Sequence, residues 1–371
     1  MQLFVQTLAS LSCDPQHKGF KPAVWSMHDG ERGDILRQNG IPVYIGPDIS
    51  LAAAAHRPAI IHVHRAGWPE PDLMRPVQAI RKRSGTGKPA PFLPIVVETN
   101  VFGRLDDSPS GREVDSTLFV SSFCAARYQH LYSIPVTTPR RMVLYNPVDT
   151  DFLEQHTTTP EQRDFSRPVI GRLSRADSGK WSPLALSFLP ALVKKFPHLE
   201  YRVVGGIAEA RNFVAKHRLQ NNVRFLPPLR TENELAEFLD GLSILAHAND
   251  TGESFGLAIA EAMSCGLPVI THQCHDWRDN AQTELVDQNI TGLIADSADE
   301  YAAAVHYLLS HPEEARRMGI AGRNKARACF KKEYVTRQLA ALYHTLLGIP
   351  DTASRTMGNP HACFTRTNDA C

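Results

Sequence analysis

The chain has 371 residues and a mass of 41.2 kDa, too much for one ordinary core, so two domains are the default. Its 43% hydrophobic and 21% charged content is that of a soluble globular protein, and a formal net charge of +1 excludes a general electrostatic pull toward nucleic acid. Seven scattered cysteines without paired spacing exclude a disulfide framework and point to a reducing, cytoplasmic setting, and no apolar run approaches the ~20 residues that span a bilayer.

Residues 1–11 are apolar but lack a basic n-region, so they read as part of a buried helix rather than a leader. Short β-branched runs then recur at 22–27, 41–45, 59–64, 93–99, 117–120 and 142–145. A second set follows at 168–173, 201–204, 223–226, 243–246, 268–271 and 292–295. Several are continuous apolar runs rather than alternations, as in strands covered on both faces, and the segments between them are long enough for helices. That alternation predicts α/β domains with parallel, doubly wound sheets, and twelve strands predict two sheets rather than one. The break between them falls in Asn146–Arg167, where a strand gives way to polar Gln155–Arg163 before a new strand opens at Pro168. Residues 1–150 and 151–330 are the expected domains. Helical periodicity returns at 300–309 and runs from 313 to 347; 331–350 would supply a C-terminal helix, and the small, polar residues 351–371 a disordered tail.

The chemistry concentrates in Thr251-Gly-Glu-Ser-Phe-Gly-Leu-Ala-Ile-Ala-Glu-Ala-Met263. Ser254-Phe255-Gly256 should open a helix, and the first N–H groups of a helix are unpaired and carry positive partial charge, which suits a diphosphate. Glu253 precedes that helix as a loop acid. Glu261 lies eight residues on, about two turns and some 80° round from it. Glu261 stands among apolar neighbours, where a lone carboxylate needs a partner such as the vicinal hydroxyls of a ribose. A second segment, Val169-Ile-Gly-Arg-Leu173 followed by a loop to Lys180, ends a strand in Gly171-Arg172 and delivers a second cation at a helix start. Ligands of open parallel sheets bind beyond the carboxyl ends of strands, so Arg172 and Lys180 are placed to neutralise a diphosphate without a metal.

Residues from about 140 to 347 resemble the nucleotide-binding half of the retaining glycosyltransferases of family 4, which adopt the GT-B architecture. The resemblance rests on Tyr145-Asn-Pro-Val-Asp149 with Phe152, Ile170-Gly-Arg-Leu173, Val203-Val-Gly-Gly206, Val223-Arg-Phe225, the Glu-x7-Glu stretch with Cys265-Gly-Leu-Pro-Val269, Glu284-Leu-Val286 and Thr291-Gly-Leu293. It implies two doubly wound domains facing across a cleft, with the C-terminal helix crossing back to the first. It also implies metal-free transfer of a sugar from a nucleotide sugar to a carbohydrate or lipid-linked acceptor, with retention, in polysaccharide or lipopolysaccharide assembly. Arg172 and Lys180 would hold the diphosphate, Glu253 would face the transferred sugar, and Glu261 would bind the ribose. The amides of Ser254, Phe255, Gly256 and Leu257 would line the phosphates. A nucleotide-sugar epimerase of the same architecture, or an inactive glycan-binding homologue, is the alternative.

Two departures stand out. Residues 1–11 match the helix that follows the family's first strand and glycine-rich loop, so the first domain should lack an internal strand. The strand Pro94–Asn100 carries no histidine where the family often has one, which leaves His64, Glu98 and Asn100 as candidates for the acceptor side. His62 and His64, two apart on a strand, should point the same way. Asp149-Thr-Asp151 and His272-Gln-Cys-His275 are weak metal signals, read as linker and site wall. The basic set Arg75, Arg81, Lys82, Arg83 and Lys88 has no acid within its segment, so it reads as a solvated loop or a contact with anionic lipid.

Overall fold

The computed structural model describes residues 1–11, 19–83 and 93–350, the side chains of Lys82 and Arg83 excepted. The chain forms two compact units, one of Met1–Pro147 with the residues from Lys332 onward, the other of Val148–Lys331. Each of the twelve apolar runs contributes a strand. They are β1 (Val24–Ser26), β2 (Val43–Ile45), β3 (Ile60–Arg65), β4 (Ile95–Asn100), β5 (Ser116–Phe119), β6 (Arg141–Val143), β7 (Val169–Leu173), β8 (Glu200–Val204), β9 (Val223–Leu226), β10 (Ile244–Ala246), β11 (Val269–Thr271) and β12 (Gly292–Ile294). Every pairing between them is parallel.

In the first unit β1 and β2 pair only with each other, while β3 to β6 form a second sheet in sequence order. Among the described residues no pairing joins these two sheets. The helix Gln2–Leu11 packs Val5 and Ala9 toward Val24, Leu36 and Ile41, and its Phe4 and Leu8 join Val97, Leu118, Leu339 and Tyr343. The last two belong to the helix Lys332–Leu346, which is therefore built into the first unit's core. The helical pattern from 313 to 347 is not one helix. It breaks at Lys331, whose backbone is extended, because the Phe330 carbonyl accepts from the Val148 N–H at 2.7 Å instead of continuing the helix.

The second unit holds one six-stranded sheet in the order β12-β11-β10-β7-β8-β9. From β7 the chain winds one way through β8 and β9, then returns to the other side of β7 for β10 to β12. The reversal lies between β7 and β10, and that switch point is where open α/β sheets bind ligands. Both faces are covered: on one, Ile170, Tyr201, Val203, Ile244 and Ile270 are buried among Phe188, Leu189, Tyr301 and Val305 from the helices, and on the other Val169, Leu245 and Val269 are buried as well. Local signals set the helix starts, including Thr231 and Glu234 in a reciprocal capping box and Ser297 accepting from the Glu300 N–H.

Candidate functional site

The switch point of the second unit gathers three loops, those after β7, β10 and β11. Asp177 caps the turn Ser178–Lys180 through the Gly179 N–H, and the Thr251 hydroxyl donates to the Gly179 carbonyl at 2.8 Å, joining the first loop to the second. Lys180 thus ends a single 3-10 turn rather than starting a longer helix. Gly252 makes the second loop possible: it sits at φ +67°, and a Cβ there would lie 1.6 Å from the Asp279 carbonyl of the third loop. The Ala281 N–H donates to the Glu253 carbonyl, and Gln282 accepts from the Glu253 N–H at 2.9 Å.

Glu253 is the centre. Its Oε2 pairs with Lys180 Nζ at 3.1 Å, and its Oε1 accepts from the Asn249 amide and lies 3.3 Å from His247 Nε2. Burial works to raise this carboxyl's pKa, but His247 and then Lys180 outweigh it and hold the pKa at about 2. Burial also keeps His247 below the ordinary imidazole range. Arg172, wholly buried on β7, stacks on the Trp181 ring at 4.3 Å. It donates to the Lys180 carbonyl and, at 3.1 Å, to Asn249 Oδ1, while its Nε and Nη1 make no hydrogen bond among the described residues. Arg172 therefore meets Glu253 through Asn249 rather than directly.

The helix that follows starts at Leu257, later than the sequence pattern places it, because Gly256 adopts φ +101° and interrupts the turn. Glu253 is thus outside the helix, and the angle counted from it does not apply. Glu261 is the helix's fifth residue. The N–H groups of Gly256, Leu257 and Ala258 make no hydrogen bond to another described residue. Phe255 is buried and meets Phe330 edge-on at 5.2 Å. Glu261 is half-buried and has no hydrogen bond or ion pair among the described residues; burial, with the Glu232 charge adding to it, pushes its carboxyl pKa up to about 8. Gly171 has a packing reason to lack a side chain, since a Cβ there would lie 2.2 Å from the Leu242 side chain.

Four residues of this site escape the sequence reading: His247, Asn249, Trp181 and Gln282. The first two follow directly on the carboxyl end of β10, the signal that would have found them. The expected wall residue His272 accepts from the Asn249 N–H at Nε2 (3.1 Å), so its proton is on Nδ1 and donated to the Gln273 carbonyl at 2.7 Å. Both ring nitrogens are thereby committed. Asp149 caps the helix Thr150–Gln155, and Asp151 pairs with Lys331 at 2.7 Å, as suits a connection.

In the first unit His62 and His64 stack at 4.5 Å. His62 bonds Tyr343 and Thr99. His64 makes no hydrogen bond to another described residue, and burial holds its pKa well below the usual range. Glu98 has an internal role, with Arg65 at 2.6 Å on one oxygen and Thr117 at 2.8 Å on the other. Arg65 also binds Asp106. Asn100 bridges both backbone groups of Arg104. Arg81 finds Glu113 and Asp115 outside its own basic segment, so it is neutralised, while Arg75 is exposed; the side chains of Lys82 and Arg83, and Lys88 itself, lie outside the described residues, as does the tail 351–371. Among the described residues no helix is long and apolar enough to cross a membrane.

The architecture is that of the GT-B glycosyltransferases, and residues 159–325 match the family described as "Glycosyl transferases group 1". The chain is similar to solved structures of a glycosyltransferase from Rickettsia africae (TM-score 0.70, 18% identity, 93% of this chain and 94% of that one) and of HepE from Anabaena in complex with UDP and glucose (0.68, 18%, 94% and 96%). Among curated relatives, a GDP-mannose-dependent alpha-(1-6)-phosphatidylinositol monomannoside mannosyltransferase of Mycolicibacterium smegmatis is 27% identical over 233 residues, and that of Mycobacterium tuberculosis 26% over 313. The alignments take in 58% and 80% of this chain, and 58% and 71% of those proteins.

Proposed function

We propose that the chain is a retaining glycosyltransferase that moves a sugar from a nucleotide sugar to a carbohydrate or lipid-linked acceptor, without a metal ion. One observation carries the reading. Lys180, Glu253 and, through Asn249, Arg172 converge just ahead of a helix whose first N–H groups have no partner among the described residues, and on that helix Glu261 has none among them either. The diphosphate takes the unpaired amides and Lys180, with the Arg172 charge behind them, and these cations stabilise the leaving group as its charge grows. Glu253, ionised throughout the physiological range, faces the sugar where positive charge develops as the bond to phosphate lengthens. The acceptor attacks from the face the diphosphate leaves, which gives retention. Glu261 accepts hydrogen bonds from the ribose.

The mycobacterial relatives' names supply the first donor and acceptor class to test, GDP-mannose and a lipid-linked sugar, and the Anabaena complex supplies the second donor, a UDP-sugar. Assembly of a surface polysaccharide or lipopolysaccharide at the inner face of a membrane is the setting that fits such an acceptor. A thermal-shift panel of nucleotide sugars identifies the donor. Proton NMR of the product, made with a chelator present, then reads the anomeric configuration. Retention with undiminished turnover is expected. A wild-type chain that stabilises with no nucleotide sugar sinks the reading, as does an inverted product or a free epimerised sugar.

A further inference from the structure

We propose that Asn249 is a positioning residue that fixes the Glu253 carboxylate for the transferred sugar by tying it to the buried Arg172 guanidinium. The inference rests on the donor reading above and adds a residue that neither the Glu-x7-Glu motif nor the cation pair contains. Asn249 is only 1% exposed, and its polar groups are engaged in four directions. Its N–H donates to His272 Nε2 at 3.1 Å, and its carbonyl accepts from the Cys274 thiol at 3.5 Å, which fixes the backbone. Its Oδ1 accepts from Arg172 at 3.1 Å, and its Nδ2 donates to Glu253 Oε1 and lies 3.1 Å from His247 Nε2.

This orientation of the amide is dictated by charge. A flip would set an N–H against the guanidinium and an oxygen against the carboxylate, both repulsive. A side-chain amide fits because it accepts from a cation at one end and donates to an anion at the other. An aspartate could serve only the first, and an alanine neither. The need for it arises when a donor arrives. Lys180 holds one oxygen of Glu253, 23% and 19% of the two side chains being exposed. A diphosphate draws that ammonium away, and the acid then depends on Asn249 and His247 to keep its rotamer.

A double-mutant cycle on the full chain tests this, with consumption of GDP-mannose and of UDP-glucose as the readout. Asn249→Ala is expected to lower turnover about tenfold or more with the donor KM changed far less. In a Glu253→Gln background the same change should cost less than twofold, because the carboxylate it positions is gone. Asn249→Asp, which preserves volume, should lose activity alone. Combined with Glu253→Gln it should do no worse than Glu253→Gln, since the new amide donates to the new carboxylate. Equal losses from Asn249→Ala in both backgrounds, or full activity of Asn249→Asp, would overturn the proposal. Failure of the donor reading is seen separately, in a wild-type chain that neither binds nor consumes a nucleotide sugar.

Discussion

Replacing Glu261 by glutamine separates a residue kept for a ligand from one kept for the fold. Its carboxyl has no partner among the described residues, and its pKa stands at about 8 against an ordinary 4.5. That rise corresponds to on the order of 4–5 kcal/mol of preference for the protonated acid. Water reaching a half-buried side chain reduces the figure to about 2 kcal/mol. Because the folded pKa is the higher one, the unfolded chain loses its proton first as pH rises past 4.5. The stability tied to this group is therefore full below that pH and is lost as pH climbs through 8. Glutamine does not ionise, so Glu261→Gln should be the more stable protein at pH 8.5, by about 2 kcal/mol, and close to wild type at pH 5. Binding should move the opposite way. A carboxylate that accepts ribose hydroxyls has to shed its proton, so donor binding near pH 7 should release close to one proton, with affinity rising toward pH 8. The variant should bind tenfold or more weakly and release none. Thermal melts at the two pH values, with calorimetry in buffers of different ionisation heat, read all of this. Melting shifts that are equal at both pH values would refute the reasoning. So would nucleotide binding unchanged in strength and proton release.

Lys180→Ala should lower turnover by an order of magnitude or more while the folded fraction stays near wild type, since the ammonium acts on charge that develops late; steady-state kinetics beside a melting curve decide whether only folding suffers. Gly252→Ala, which combines φ +67° with a Cβ set 1.6 Å from the Asp279 carbonyl, should destabilise the protein by about 2–4 kcal/mol in denaturant titration, and a neutral result would mean the turn is not where it is described. Arg65→Met should cost about 3 kcal/mol or more by leaving the buried carboxylates of Glu98 and Asp106 without their shared cation, yet leave nucleotide binding untouched; a variant as stable as wild type in denaturant titration would refute that structural role.

The strands were the most legible part of the sequence because β7, β10 and β11 are covered on both faces, so β-branched runs such as Val169-Ile170 and Val269-Ile270 are continuous. Helix starts were less legible. One residue, Gly256 in the left-handed region, moved the start past Glu253 and undid a wheel angle that assumed an unbroken helix. Arg172 was legible as a cation at a strand end but not as a buried one, since the ring that covers it, Trp181, and its acceptor, Asn249, come from other loops. Glu98 looked like a cleft acid for the same reason. Its partner Arg65 lies 33 residues earlier, and only the pairing of β3 with β4 brings the two together.

The two glutamates of the motif are chemically alike and separated by seven residues, yet their surroundings push them in opposite directions. Glu253 lies among an ammonium, an imidazole and an amide that all favour the anion; Glu261 lies on an apolar helix, where burial and the Glu232 carboxylate both favour the neutral acid. Such divergence assigns roles. An acid that stays charged through every physiological pH can stabilise developing positive charge but cannot deliver a proton. An acid that burial keeps neutral and a hydroxyl-bearing ligand would draw into its charged form couples ligand arrival to a change in its own state. Glu261 has no partner among the described residues, and on the proposed reading the cost of that burial is relieved when a polyhydroxylated ligand arrives. That is why stability and affinity at this position should respond to pH with opposite signs.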